Sequence, residues 1–279
     1  RMSAIGRHLR DAASKPPSEP GAVALQSLLA DCAERPLRDW SLAILGALEP
    51  VISKEAFDRG NAAVKDFLAY LETLVERRRA RPGNPERDVL TRLIQGEDNG
   101  ERLTAKELLH NCIFLLNAGH ETTTNLIGNG VDLLLRHPDV MRDLASHPET
   151  IDTAIEEFLR MESSNQLGNR RATSDTQIGD IAMPAGTYVH LCIGAANRDP
   201  AQFAEPDTLD IRRAPNRHLA FGFGIHTCAG NSLARMEAQV AIGRLVRRFK
   251  SIERASEPVR GGRARFRGFL RYPVSVRAT

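Results

Sequence analysis

Apolar residues recur three or four positions apart over much of the chain up to Met161, and this spacing predicts a series of helices. The pattern is clearest over residues 62–79, where it is carried by Val64, Phe67, Leu68, Leu71 and Val75. Residues 81–85 contain two prolines and a glycine, so this segment ends the helix. A shorter helix is predicted over residues 88–95.

A longer helix is predicted from residue 104 to about residue 136. Thr104 and Glu107 have the spacing of a capping box, in which each side chain accepts a hydrogen bond from the other residue's backbone N–H. The pattern ends before Pro138, because the residue ahead of a proline disfavours helical backbone. A helix of this length crosses the molecule, so we expect its middle to lie in the core. Another helix is predicted over residues 150–161.

After Met161 the pattern changes from helices to shorter segments that are separated by Gly, Pro, Asn and Asp. Residues 188–193 are predicted to form a strand. Residues 229–249 return to helical periodicity, and residues 266–276 are predicted to form a short hairpin. We therefore expect a single domain over residues 1–279, helix-rich over 1–161 and mixed over 162–279.

The composition is that of an ordinary globular protein. Of the 279 residues, 42% are hydrophobic and 26% are charged, which allows a sizeable core. Apolar runs are too short to cross a bilayer and no apolar signal segment follows Arg1, so we expect neither membrane insertion nor export. The cysteines are widely separated and form no CxxC pair, which favours a reducing, cytoplasmic setting. They are Cys32, Cys112, Cys192 and Cys228.

The charge is nearly balanced overall but uneven along the chain. A net charge of +3, from 38 basic and 35 acidic residues, argues against nucleic acid as the main partner. Between Arg244 and Arg271 there are ten basic residues and only two acidic ones, Glu253 and Glu257. This segment is either an ordinary solvated surface or a docking face for an acidic partner.

One cysteine lies in a glycine-rich segment, FGFGIHTCAG over residues 221–230, directly ahead of a predicted helix. Glycines let the backbone approach a flat group closely. The N–H groups and partial positive charge of the helix N-terminus favour a thiolate over a thiol at Cys228. For an isolated cysteine, a buried free thiol in a turn is the alternative.

Polar residues interrupt the middle of the predicted long helix, in the sequence AGHETT over residues 118–123. Gly119 costs about 0.5–1 kcal/mol relative to Ala inside a helix. Glu121 and Thr122 require hydrogen-bond partners if they are buried. We expect the helix to open locally here, with Glu121 able to relay protons. The alternative is a plain surface face with Glu121 exposed.

Glu157 and Arg160 have the i,i+3 spacing that lets two side chains meet on one helix face. An exposed pair of this kind contributes only about 0.3 kcal/mol. If the pair is buried, loss of one partner costs roughly 3–5 kcal/mol.

The cysteine segment resembles the cysteine-ligand loop of the cytochrome P450 family, in its bacterial, soluble class. The family pattern Phe-x-x-Gly-x-x-x-Cys-x-Gly is matched by Phe221, Gly224, Cys228 and Gly230. The resemblance extends from about Ala62 to the end of the chain and more faintly back to Arg1. It implies a mainly α fold with small β-sheets, a triangular helical array around a haem, incomplete at the N-terminus.

This resemblance implies haem b as the cofactor, with the Cys228 thiolate as the iron ligand, and O2 as co-substrate. A thiolate donates electron density to the iron and favours O–O cleavage. His226 and Arg170 fall where residues that bind the propionates are expected. The other residues that the resemblance places at the cofactor are Ala118, Gly119, Phe221, Gly222, Gly224, Ala229 and Gly230.

The other two segments are similar to further features of the same family. Glu121 and Thr122 resemble its acid–alcohol pair, which implies proton delivery to bound oxygen. Glu157 and Arg160 resemble its Glu-x-x-Arg pair, which braces the loop under the haem. The family often adds a third basic residue at the position of Thr208, and either Arg212 or Arg213 is a candidate to replace it.

The implied function is a monooxygenase that inserts one oxygen atom of O2 into a small organic substrate, by hydroxylation or epoxidation. Electrons are expected from a ferredoxin-type partner with its reductase, docked on a basic face that includes Arg235. No nucleic acid or membrane is expected as a partner. The residues placed near the substrate pocket are Phe114, Asn117, Gln166, Leu167, Gly168 and Phe269.

The resemblance also leaves two alternatives open. The family's N-terminal part, with further basic ligands to the propionates, is expected ahead of the position of Arg1. Charge-assisted hydrogen bonds of that kind contribute roughly 1.5–3 kcal/mol each. The alternatives are therefore a truncated fragment that binds haem weakly and a non-catalytic haem-binding relative.

Overall fold

A computed structural model describes residues 35–98 and 101–278, so Cys32 and the faint resemblance back to Arg1 lie outside the described residues. The chain divides into two compact units, with the boundary between Ala118 and Gly119. Each unit has its own hydrophobic cluster. The prediction of a single domain over residues 1–279 stays a prediction.

The first unit is helical, with one small hairpin. Its elements are α1 (Arg35–Gly46), α2 (Lys54–Ala80), α3 (Val89–Gln95), β1 (Glu97–Asp98), β2 (Glu101–Arg102) and the first part of α4 (Ala105–Arg136). Phe67 and Leu71 of α2 pack with Leu108 and Ile113 of α4 in the core of the unit. The helix α2 begins earlier than the apolar pattern predicts, because Ser53 Oγ caps it by accepting the Ala56 N–H at 3.2 Å.

The predicted capping box at the start of α4 is confirmed. Thr104 N donates to Glu107 Oε2 at 2.9 Å, and Glu107 N donates to Thr104 Oγ1 at 3.2 Å. The helix ends at Arg136, as predicted. It is α-helical along its whole length, so the prediction of a local opening near Gly119 is wrong.

The second unit contains the rest of α4 and four further helices. These are α5 (Pro138–Ser146), α6 (Ile151–Met161), α7 (Ile193–Ala196) and α8 (Asn231–Arg248). Helix α5 was not predicted from the sequence, although Pro138 both stops α4 and supplies a favourable first residue for α5. A side chain at Gly130 of α4 would crowd Ile242 of α8 and Phe158 of α6, so these three helices pack closely.

Small antiparallel sheets, each of two strands, complete the second unit. Strand β3 (Leu167–Arg171) pairs with β6 (Tyr188–Cys192), and β4 (Thr176–Ile178) pairs with β5 (Ile181–Met183). Strand β7 (Phe249–Arg254) pairs with β10 (Val274–Ala278), and β8 (Val259–Arg260) pairs with β9 (Phe269–Arg271).

The predicted hairpin over residues 266–276 is wrong, because β9 and β10 pair with different strands instead of with each other. The link between them, Tyr272-Pro273, has none of the Asn-Gly or Asp-Gly chemistry that reverses a chain in two residues. The two strands therefore continue into separate sheets. Within the described ranges, the helices lack the combination of length and apolarity that a bilayer span requires.

Candidate functional site

The loop that carries Cys228 is closed by backbone hydrogen bonds just ahead of α8. Cys228 N donates to Phe221 O at 2.8 Å. Gly222 and Gly224 have φ angles of 72° and 68°, in a region that glycine enters without strain. The cysteine side chain is exposed, and its residue lies just before the first turn of an 18-residue helix. The loop therefore presents a free thiol beside the N–H groups of a helix N-terminus.

Arg235 connects the cysteine loop to α6. Its guanidinium donates to the two carboxylate oxygens of Glu156 at 2.6 and 2.9 Å, and its central carbon lies 4.6 Å from the centre of the Phe221 ring. The hydrogen bond with Glu156 raises the pKa of Arg235, and the nearby charge of Cys228 adds to this rise. Arg235 thus places a positive charge close to the thiolate form of Cys228.

Glu156 is a site residue that the sequence analysis missed. Burial on its own would raise the pKa of this carboxyl, but hydrogen bonds from Arg235 and His218 lower it to about 2. His218 Nε2 lies 3.1 Å from Glu156 Oε2. One sequence cannot distinguish Glu156 from other glutamates on a helix, because both of its partners lie more than 60 positions away.

The neighbouring Glu157 forms a buried pair with Arg160. Arg160 Nε and Nη2 each donate to one carboxylate oxygen at 2.8 Å, and both side chains are fully shielded from solvent. Arg213 Nε lies 3.2 Å from Glu157 Oε2, whereas Arg212 forms an ion pair with Asp143. Of the two candidates for the third basic residue, the fold therefore brings Arg213 to the pair.

Arg160 also holds the chain segment that follows α7. Its Nη1 donates to the carbonyls of Asn197 at 2.9 Å and Pro206 at 2.7 Å, and its Nη2 donates to the carbonyl of Thr208 at 3.2 Å. Thr208 thus contributes a backbone acceptor at the position where the family often has arginine. Burial on its own would raise the pKa of Glu157. The hydrogen bond with Arg160 is the largest of the opposing effects, and the pKa of Glu157 is lowered overall.

Glu121 is buried on α4, which excludes the alternative of a plain exposed face. Its Oε1 lies 3.5 Å from Arg263 Nη1 and accepts the Asn125 Nδ2–H at 3.5 Å. These partners compensate for burial of the carboxylate, so the helix does not need to open to satisfy it. The adjacent Thr122 is partly buried, and its carbonyl accepts the Ser164 hydroxyl at 2.7 Å.

The turn of α4 that carries Glu121 and Thr122 contacts the helix that follows Cys228. Burial raises the pKa of Glu237 on α8, and a hydrogen bond with Thr123 on α4 opposes this rise. The second unit therefore contains the cysteine loop, the acid–alcohol residues and the Glu157–Arg160 pair in one packed body.

Three predicted site residues belong to the end of the first unit. Phe114 is 67% exposed, and Asn117 is buried with its Nδ2 donating to Ile113 O at 2.9 Å. Ala118 is exposed. Their predicted roles at the cofactor and the substrate stay predictions.

The predicted propionate ligands and loop residues all belong to the second unit. Arg170 is exposed on β3, and its Nη1 donates to Asn169 O at 2.8 Å. His226 is exposed in a short 3-10 turn, Gly224–His226. Ala229 and Gly230 are exposed between Cys228 and the start of α8.

A cavity of about 640 Å³ in the second unit includes two of the predicted substrate residues. Gln166 and Leu167 line it, together with Cys192 and the arginines at 260, 263 and 267. Of the other predicted residues, Gly168 is on β3, and Phe269 is on β9 with its ring edge-on to Tyr272 at 4.7 Å.

Arginines among the ten basic residues between Arg244 and Arg271 contact carboxylates. Arg254 and Arg260 lie 3.7 and 3.4 Å from Asp132, and Arg263 pairs with Glu121 as described above. Arg267 lies 3.2 Å from Glu162. These four guanidinium groups therefore serve contacts within the unit in addition to any role in docking a partner.

The donor set of the second unit fits a flat ring with a central iron. A soft thiolate is a suitable ligand for haem iron, and Cys228 presents its free sulfur from an exposed loop. A Cβ built at Gly119 or at Gly224 would have no atom within 4 Å, so both backbones are open to a close approach. Arg235 supplies a compensating positive charge.

Comparison with known proteins gives the same family throughout. The family model described as cytochrome P450 matches residues 40–150 and 145–263. A biotin biosynthesis cytochrome P450 of Bacillus subtilis (strain 168) is 41% identical over 219 residues, which are 78% of this chain and 54% of that protein. A vitamin D(3) 25-hydroxylase of Pseudonocardia autotrophica is 46% identical over 189 residues, 67% of this chain and 46% of that protein.

Solved structures give the same result for the fold. The structure of P450BioI in complex with an acyl carrier protein ligated to hexadec-9Z-enoic acid is 40% identical, with a TM-score of 0.81, over 86% of this chain and 61% of that chain. The polyketide synthase cytochrome P450 PksS of Bacillus subtilis 168 is 36% identical with a TM-score of 0.77, over 85% of this chain and 60% of that chain. The predicted fold class is thus confirmed, and the chain spans about half the length of the curated relatives it matches.

Proposed function

Since the chain belongs to the cytochrome P450 family, we propose that it forms the haem-thiolate domain of a monooxygenase. The reaction is insertion of one oxygen atom of O2 into a small organic substrate, by hydroxylation or epoxidation. The observation that carries this proposal is the exposed thiol of Cys228, at a helix N-terminus and beside Arg235.

Cys228 is the proposed ligand of the haem iron. Haem b, when bound through this thiolate, would supply the activation of O2, which the electron donation of the sulfur favours. His226 and Arg170 are the proposed partners of the propionates, because both are basic and exposed in the second unit. The open backbone at Gly119 and Gly224 suits close contact with the ring.

Glu121 and Thr122 are the proposed proton-delivery residues. Glu121 holds its carboxylate in a buried position beside Arg263. This carboxylate and the hydroxyl of the adjacent residue Thr122 are both groups that can take up and release a proton. The Glu157–Arg160 pair is the proposed brace of the segment that leads into the cysteine loop, through the backbone acceptors described above.

The proposed electron donor is a ferredoxin-type protein with its reductase. Basic residues near Cys228 and along the C-terminal segment support an acidic partner. Cys112, Cys192 and Cys228 are free thiols, which supports a reducing, cytoplasmic setting. The proposed substrate residues in the second unit are Gln166 and Leu167, which line the cavity, and Gly168 and Phe269, which each follow a lining residue in the sequence.

A carbon monoxide difference spectrum of the haem-reconstituted, reduced chain tests the iron ligand. We expect the Soret shift that is typical of thiolate ligation, and we expect the substitution Cys228→Ser to abolish it. Cys192→Ser is the matched control, since this thiol is also free and exposed, and its spectrum should be unchanged.

A spectrum of imidazole type from the unsubstituted chain would overturn the assignment of Cys228. An activity assay with an added ferredoxin and its reductase then distinguishes a monooxygenase from a haem-binding relative without activity. Oxygen-labelled product formed from labelled O2 supports the enzyme, and haem-thiolate protein without turnover of any compound in a broad substrate panel contradicts it.

A further inference from the structure

Three arginines are among the residues that line the cavity beside β3. They are Arg260, Arg263 and Arg267, and the lining residues include no acidic one. The apolar residues Leu167 and Ala195 line the same cavity. A cavity of about 640 Å³ with this lining suits a ligand that has an apolar body and an anionic end.

Arg263 is the best shielded of the three arginines. Its side chain is 12% exposed, whereas the side chains of Arg260 and Arg267 are 43% and 48% exposed. An ion pair is stronger where water is excluded, because solvent screens it less. A ligand anion in the cavity would therefore gain most from contact with Arg263.

The contact between Arg263 and Glu121 is long. The atoms Arg263 Nη1 and Glu121 Oε1 are 3.5 Å apart, whereas a charge-assisted N–H···O bond typically measures about 2.7–2.9 Å. The buried Arg160–Glu157 pair of the same unit has two contacts of 2.8 Å. A carboxylate with better geometry would make a stronger contact with Arg263 than Glu121 makes.

We propose that this cavity recognises substrates that carry a carboxylate, and that Arg263 is the specificity residue that binds it in competition with Glu121. The inference rests on the proposed function, because it names the substrate class of the same site. When the substrate carboxylate binds Arg263, it releases the Glu121 side chain from that arginine. Substrate binding thereby frees the carboxylate that is proposed to deliver protons. By reciprocity, removal of the Glu121 charge strengthens carboxylate binding.

Isothermal titration calorimetry of the chain with decanoate and with its uncharged analogue decanamide tests this proposal. The two probes have the same chain length and nearly the same shape, so their difference reports recognition of the charge. We expect decanoate to bind at least about tenfold more tightly than decanamide, as a charge-assisted hydrogen bond provides. Equal affinity for the two probes would overturn the proposal.

Three variants identify the residue responsible. Arg263→Gln should weaken decanoate binding about tenfold, and Glu121→Gln should tighten it severalfold, while decanamide binding stays unchanged in both. Arg271→Gln is the control, because Arg271 is exposed on the same C-terminal segment and does not line the cavity. Unchanged decanoate affinity in a folded Arg263→Gln variant would overturn the proposal.

Two readouts keep the outcomes separate. If Arg263→Gln fails to fold by circular dichroism, the decanoate-to-decanamide ratio and the Glu121→Gln variant decide the question. The titrations do not depend on haem, so the carbon monoxide spectrum of the same preparations tests the proposed function independently. A thiolate spectrum without a preference for decanoate overturns only the substrate class.

Discussion

Arg160 donates to both carboxylate oxygens of Glu157 at 2.8 Å, and neither side chain is accessible to solvent. Arg160 uses its remaining donors on backbone carbonyls of the chain after α7. The pair therefore fixes α6 to the segment that leads towards the cysteine loop. The role proposed for the pair is structural, and neither residue is among those that line the cavity in the second unit.

Glu157→Gln should reduce the free energy of unfolding by roughly 3–5 kcal/mol, because Arg160 keeps its buried charge and loses the carboxylate that neutralises it. Urea denaturation followed by circular dichroism measures the change. Glu253→Gln is the matched control, since Glu253 is exposed on β7, and it should change stability by less than about 0.5 kcal/mol. A loss below about 1 kcal/mol for Glu157→Gln would show that the pair is not needed for stability.

The contacts of Glu156 predict a pH-dependent contribution to stability. Its pKa in the folded chain is about 2, below the ordinary value of 4.5, so the folded state favours the charged form. The contribution to stability is thus fully present when the pH is above the ordinary pKa, and it is lost as the pH falls towards the pKa of the folded chain. With 26% of the side chain exposed, we allow for solvent screening and expect roughly 2–3 kcal/mol.

Urea denaturation of the unsubstituted chain and of Glu156→Gln, at several values between about pH 6 and about pH 2, measures this contribution. The difference in stability between the two proteins should shrink as the pH falls. Other paired carboxylates, such as Asp143 with its pKa of about 2, titrate in both proteins and cancel in the difference. Asp180→Asn, in the exposed turn between β4 and β5, is the control for removal of a surface carboxylate.

Glu121→Gln should lower kcat about 100-fold, if the proposed proton delivery is correct, because an amide does not exchange protons as a carboxylic acid does. The carbon monoxide spectrum of the variant should keep its thiolate type. Glu107→Gln is the control at the start of α4, where it only caps the helix. An unchanged kcat and an unchanged solvent isotope effect in Glu121→Gln would exclude this carboxylate from proton delivery.

Local features of the fold could be predicted from the sequence because they depend on neighbouring residues. The capping box of Thr104 and Glu107 and the proline that ends α4 are features of this kind. The spacing of Glu157 and Arg160 is also local, so their pairing could be anticipated. Their burial could not, because it depends on residues more than 30 positions away, such as Asn197.

Contacts between distant parts of the chain could not be predicted from the sequence patterns. The choice between Arg212 and Arg213 required the fold, since the two adjacent arginines point to different acids, Asp143 and Glu157. The C-terminal hairpin was predicted wrongly because the partners of its two strands lie in earlier segments, β7 and β8. Glu121 was expected to disturb α4, and only the structure shows Arg263 compensating its charge.

Gly268 should be intolerant of substitution, because the backbone at this position lies against α4. A Cβ at Gly268 would collide with the side chain of Asn125, which is itself 2% exposed and close to Glu121. Gly268→Ala should therefore destabilise the chain by about 1–3 kcal/mol, as overpacking of a close contact does. Gly261→Ala is the matched control on the same segment, since its nearest atom would be 3.9 Å away.

The double variant Asn125→Ala with Gly268→Ala distinguishes two causes of destabilisation by Gly268→Ala: overpacking against Asn125 and a loss of backbone freedom. If the collision with Asn125 causes the loss, the truncated side chain leaves room for the new methyl group, and the two substitutions together destabilise less than the sum of each alone. Urea denaturation of the four proteins measures this coupling. Additive losses would mean that Gly268 is required for its conformation and that the contact with α4 is not the cause.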